Sequence, residues 1–225
     1  MRLVPGHGPE VALLVADPAP VVAFYESLGG RTSRPAPWPG GGTVQRIALG
    51  GGAVKLLHRT GDLPFSPSPG FTSLTLATPA TTATAATTAT AGLFEQHDPV
   101  GTPIALRPAG PSAAPTLTVG LRTATPVRAA AFYAALGTPL ASGPATPDRT
   151  GPPSHLHLLP DPPESTPAPI AYLTLVVADL ADAEATVTTH GGTVVASPFA
   201  VGTRRACLVA DPDGNAVELV TSERP

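Results

Sequence analysis

One segment of the chain occurs twice. DPAPVVAFYESLGG (residues 17–30) reappears as TPVRAAAFYAALGT (residues 125–138). A chain that repeats a helix together with its flanks is built from a unit that folds more than once, and each unit must bury its apolar face against a neighbour. Val21, Phe24, Tyr25 and Leu28 stand at i, i+3, i+4 and i+7, one face of an amphipathic helix. Ala129, Phe132, Tyr133 and Leu136 restate that face, and Gly29, Gly30 and Gly137 are placed to end the helices in a left-handed turn.

A strand-like run precedes each helix: EVALLVAD (residues 10–17) before the first, TLTVGLRT (116–123) before the second. The same pairing occurs in YLTLVVAD (172–179) followed by LADAEATVTTHGG (180–192). A worn version is SLTLATPA (73–80) followed by the Ala/Thr tract TTATAATTATAG (81–92), which its place in the repeat assigns to a small-residue helix. Short strands split by turns follow, clearest in RRACLVA, the DPDG turn and NAVELVT at the end of the chain. FEQHDPVGTPIALR repeats that ending in the second unit, and SHLHLLPD closes the third. The unit is a strand, a helix and up to three strands, four times over. Segments near residues 60–70 and 161–169 read as linkers.

Composition supports a packed fold. Of 225 residues 42% are hydrophobic and 13% charged, enough apolar matter for a core. A net charge of -3 argues against nucleic acid or an anionic membrane as partner. The apolar run VALLVA is too short to span a bilayer. One cysteine, Cys207, allows no intrachain disulfide and no Cys-based zinc cluster, so a cytoplasmic protein is expected.

Four βαβββ units, with FY on the helix and DPDGNAVEL before the last strand, resemble the vicinal oxygen chelate superfamily. That group includes glyoxalase I, extradiol dioxygenases, fosfomycin-modifying enzymes and bleomycin-binding proteins. The resemblance implies an α+β fold in which four βαβββ modules form two glyoxalase-like domains, each with curled sheets around a concave cleft. The expected division is residues 1–110 (modules at about 10–60 and 70–108) and residues 114–225 (modules at about 114–160 and 169–223). The scaffold hosts several chemistries, so it fixes fold better than function.

Strand parity identifies the cleft-facing side chains. With Val11, Leu13 and Val15 packed on the helix, Glu10, Ala12 and Leu14 face inward. The same rule turns Tyr172, Thr174 and Val176, then Thr118, Gly120 and Arg122, then Ser73 and Thr75 toward a cleft. On the last strands the inward positions are Lys55, Ala105, His157 with His155, and Ala216, Glu218 and Val220. In metal-dependent members, the resemblance implies ligands at the first-strand and last-strand positions of paired modules. Here the first-strand positions hold Glu10, Ser73, Thr118 and Tyr172, and the last-strand positions hold Lys55, Ala105, His157 and Glu218.

Sequential pairing is the expectation: modules three and four would then offer His157 and Glu218 as metal ligands, too few to hold a divalent ion tightly. If modules one and four pair instead, Glu10, Lys55, Tyr172 and Glu218 meet, a set suited to acid–base work without metal. His157 then joins Ser73, Thr118 and Ala105.

Two functions remain open. One is a metal-independent protein holding a hydrophobic or aromatic metabolite or antibiotic. The other is a lyase, isomerase or oxygenase using a weakly bound divalent metal, or Tyr172 and Glu218 as catalytic acid–base groups. Glu10, Lys55, Ser73, Thr118, Arg122, His157 and Thr174 are the candidate ligand-binding residues in either case. The partner is a small molecule, and self-association is open. Cys207 reads as a buried small hydrophobe, His7 and His97 as loop residues, and His190 as a helix-end residue.

Overall fold

The computed structural model describes residues 7–38, 41–59, 70–79, 94–109, 116–142, 156–159, 170–201 and 203–221. Module one runs through β1 (Glu10–Val15), α1 (Pro18–Ser27), the short β2 (Arg31–Thr32) and β3 (Ala36–Pro37), and the hairpin β4 (Thr43–Leu49) and β5 (Gly52–His58). Module two contributes β6 (Phe71–Pro79), β7 (Phe94–His97) and β8 (Pro103–Ala109). Module three contains β9 (Thr116–Arg122), α2 (Pro126–Ala135), β10 (Leu140–Ser142) and β11 (Leu156–Leu159). Module four is β12 (Ile170–Val177), α3 (Leu180–Thr189), β13 (Thr193–Val201), β14 (Arg204–Ala210) and β15 (Ala216–Thr221). The helix expected over residues 81–92, the linkers other than Gly70, and His155 lie outside the described residues.

The helices begin and end as their sequences dictate. Asp17 caps α1 by accepting from the Ala19 N–H at 3.0 Å, and Asp179 caps α3 by accepting from Asp182 at 2.9 Å. Pro occupies the first turn of α1 and α2, where its missing N–H costs nothing. Each helix then stops at a glycine with positive φ: Gly29 at 88°, Gly137 at 78° and Gly191 at 80°. His190 is the C-cap of α3.

Two sheets form, and neither follows the halves of the chain. The first runs β13-β14-β15-β12-β1-β5-β4-β2, with β3 also on β4; the second runs β10-β11-β9-β6-β8-β7. Module one therefore shares a sheet with module four, through the antiparallel pair β1–β12, and module two shares one with module three, through β6–β9. The expected sequential pairing does not form. Residues 1–110 and 114–225 each supply one module to either sheet.

Contacts of a different kind join neighbouring modules. The Tyr25 hydroxyl of α1 donates to Asp98 Oδ2 in the DPVG turn at 2.9 Å, and the Tyr133 hydroxyl of α2 donates to Asp211 Oδ2 in the DPDG turn at 2.9 Å. Both aspartates also fold their own turns: Asp98 Oδ1 accepts from Val100 and Thr102, and Asp211 Oδ1 from Asp213 and Asn215. The recurring FY and the recurring DP-x-G turn are thus two ends of one buried hydrogen bond. Both sheets send alternate residues into a single core, among them Val11, Leu13, Leu173, Val217, Leu74, Leu76, Val119 and Leu121, with Tyr25, Phe132 and Tyr133 from the helices.

The opposite face of the first sheet is separate. Ala12, Leu57, Ala171, Tyr172, Leu208 and Ala216 form their own buried cluster, with Leu14, Trp38, Val44 and Ala196 against it. This division follows the period of two along β1 and β15; on β12 a bulge opposite Ala12 and Leu13 puts the consecutive Ala171 and Tyr172 in the same cluster.

Candidate functional site

Register brings the polar residues of the first sheet together. In the hairpin, Gly50 and Gly51 take φ of 58° and 77°, a two-residue turn that sets Leu49 opposite Gly52 and Arg46 opposite Lys55. The parallel pair β1–β5 puts Lys55 beside Ala12, and β1–β12 puts Ala12 beside Tyr172 and Glu10 beside Thr174. The parallel pair β12–β15 then puts Thr174 beside Glu218.

Ala12 carries only a methyl group, so the Lys55 stem passes over β1 to reach β12 and β15. Its Nζ lies 2.6 Å from Glu218 Oε2, 2.9 Å from Thr174 Oγ1 and 3.3 Å from Glu10 Oε2. Thr174 in turn donates to Glu218 Oε2 at 2.8 Å. Arg46 Nε donates to Glu10 Oε1 at 2.8 Å from the more exposed edge. Two carboxylates and two cations balance, and Lys55, Glu10 and Glu218 are 14%, 7% and 7% exposed.

This geometry sets the charge states. Burial alone would lift the Glu10 carboxyl, but the Lys55 and Arg46 charges outweigh it and hold Glu10 below its ordinary value. Burial would likewise lower the Lys55 ammonium; Glu218, Tyr172 and Glu10 reverse that and hold it above its ordinary value. The Tyr172 phenol is pushed up by burial and by the Glu218 charge, so it stays protonated. Its hydroxyl is hydrogen-bonded to the Trp38 indole, and the Lys55 ammonium stands 5.8 Å from its ring centroid.

The sequence-derived candidates divide between the sheets. Glu10, Lys55, Tyr172, Thr174 and Glu218 converge as described. Ser73, Thr118, Arg122 and His157 lie on the second sheet, where Gly120 separates Ser73 from His157 and Thr118 stands beside Thr75. His157 and Glu218 are therefore on different sheets, and the metal-ligand pair expected from sequential pairing is not assembled. Cys207, opposite Leu219, is fully buried in the main core, and burial, with Glu184 nearby, pushes its thiol up to about 12.

The residues do not suit a divalent cation. Of the four ligand positions on the first sheet, Lys55 is an ammonium with no lone pair and Tyr172 is a neutral phenol; the carboxylates of Glu10 and Glu218 are already neutralised by cations. The corresponding positions of the second sheet hold Ser73, Thr118, Ala105 and a single imidazole, His157. Among the described residues no three His, Cys, Asp or Glu side chains gather as a metal would need.

Sequence reasoning missed Arg46, Trp38 and Arg59. Arg46 was recoverable, since a Gly-Gly turn between two strands fixes what stands opposite Lys55.

Paired βαβββ modules, with strands one and last side by side at the centre of each sheet, define the vicinal oxygen chelate fold, and this chain has it. Residues 118–220 match the family described as a glyoxalase-like domain. No curated protein matches the chain in sequence. Among solved structures, glyoxalase I from Zea mays is similar with a TM-score of 0.68 and 19% identity, over 96% of this chain and 92% of that one. A putative dioxygenase from Bacillus subtilis subsp. subtilis str. 168 gives 0.69 and 14%, over 100% and 86%. The cppA protein from Streptococcus pneumoniae TIGR4 gives 0.57 and 11%, over 98% and 99%. At these identities the likeness establishes the fold. No helix among the described residues is long and apolar enough to cross a membrane.

Proposed function

We propose that the chain is a small-molecule-binding protein whose first-and-fourth-module cleft holds a hydrophobic or aromatic ligand without a metal. One observation carries this reading: the Lys55 ammonium bonds Glu218 and Thr174 and lies beside Glu10, at the positions where metal-dependent relatives would place ligands. A cation there would have to displace it. The surrounding side chains, Ala12, Leu14, Leu57, Tyr172, Leu208 and Ala216, form an apolar and aromatic cluster on the same face of the sheet.

The catalytic alternative asks Glu218 to act as a base and Tyr172 as an acid. Glu218 Oε2 already takes two hydrogen bonds, and Tyr172 is held far from ionising, so the binding reading is preferred.

The experiment purifies the protein without chelators or a metal-affinity tag, measures its metal content and titrates divalent ions in a thermal-shift assay. Aromatic compounds are then screened through the fluorescence of Trp38, the only tryptophan. Metal-free protein that binds an aromatic compound and returns it unchanged is the expected result. Stoichiometric metal lost in Glu218→Gln, or conversion of the bound compound, overturns it.

A further inference from the structure

Among the described residues the charges of the cleft leave one cation, Arg59, without a carboxylate. Glu10 and Glu218 are matched by Arg46 and Lys55. On β5 the alternation that turns Lys55 and Leu57 toward the cleft continues to Arg59, just past the strand end. Its guanidinium stacks on the Trp38 ring, with Cζ 4.9 Å from the ring centroid, and Trp38 belongs to the same apolar cluster as Leu57 and Tyr172.

Two of the guanidinium nitrogens, Nε and Nη1, are buried and find no hydrogen-bond acceptor among the described residues. Donors shielded from water without an acceptor are costly, more so on a charged group. The arrangement is also held in place. Gly42, with φ of 91°, lets the β3–β4 turn lie close against the end of β5; a Cβ there would collide with the His58 carbonyl and come within 3.2 Å of Arg59 Cγ. Trp38 is fixed in turn by its hydrogen bond with Tyr172 and by backbone bonds with Gly41 and Gly42.

We propose that the ligand of this cleft is a planar apolar carboxylate, whose carboxylate pairs with Arg59 and whose body lies against Trp38. The inference rests on the binding function proposed above and adds the ligand's charge to it. A guanidinium suits this task because it remains protonated and offers several N–H groups to a carboxylate while stacking on an indole.

The test compares 4-bromobenzoate with its uncharged isostere 4-bromobenzamide, by calorimetry and by heavy-atom quenching of Trp38. The acid should bind roughly tenfold or more tightly than the amide, as a charge-assisted hydrogen bond allows. Arg59→Gln should remove that preference, and Arg59→Lys should keep part of it. Equal binding of acid and amide, with Trp38 quenched by both, overturns the carboxylate inference and leaves the binding function standing. A preference that survives Arg59→Gln also overturns it. If neither compound binds or quenches Trp38, both readings fail together.

Discussion

The Lys55 ammonium lies 2.6 Å from Glu218 Oε2, across two intervening strands and between residues 163 apart in the chain. Removing the cation strands the buried Glu218 carboxylate, while Arg46 still holds Glu10. Lys55→Met should therefore cost about 3–5 kcal/mol in urea denaturation, the range for breaking a buried ion pair from one side. Lys55→Met combined with Glu218→Gln should cost less than the single change, because one orphaned charge is gone.

The same cluster should respond to acid and base in opposite senses. Glu10 is held below its ordinary 4.5, so its contribution is complete above that value and is lost as the pH falls through the lower, folded value. Lys55 is held above its ordinary 10.5, so its contribution is complete below that value and fades as the pH rises through the higher, folded one. The stability gap between wild type and Glu10→Gln should be flat through neutrality and narrow in acid, read from urea midpoints against pH. A gap that widens in acid would contradict the assignment.

Replacing the ammonium by a group with a lone pair should create what the site lacks. Lys55→His leaves an imidazole between Glu10 and Glu218, three donors of the kind zinc accepts. The variant should take up one equivalent of Zn2+ in calorimetry where the parent takes none.

Tyr25→Phe and Tyr133→Phe should each lower stability by about 1.5–3 kcal/mol, the scale of a hydrogen bond to a charged group. Circular dichroism melts would show the loss. An unchanged melt for both would mean that the Tyr–Asp bonds do not fasten adjacent modules.

Cys207 should ignore a thiol reagent such as DTNB in the native state and react fully once unfolded. Its buried position and raised thiol value both withhold the thiolate.

The alternation along β1, β12 and β15 was legible from sequence because a strand has a period of two, so a buried helix-side triplet such as Val11, Leu13 and Val15 fixes Glu10, Ala12 and Leu14 on the other face. Which module pairs with which was not. Parity is the same whether β12 adds to β9 or to β1, so the inward set survives while its companions change: His157 goes to one sheet and Glu218 to the other. Arg59 escaped notice for another reason. It follows the last strand residue and borders a Pro-rich stretch, where periodicity gives no side; only its stacking on Trp38 places it.

Lys55 and Glu218 occupy matching positions of two modules, for each sits on a final strand beside the residue, Ala12 or Thr174, at the same distance before its helix cap, Asp17 or Asp179. In a symmetric homodimer of identical halves such matching sites must carry the same side chain, and like charges would face each other across the axis. Joining the halves in one polypeptide lifts that restriction. One copy was free to become basic and its twin acidic, so a hollow that symmetry would have kept self-repelling neutralises itself from within.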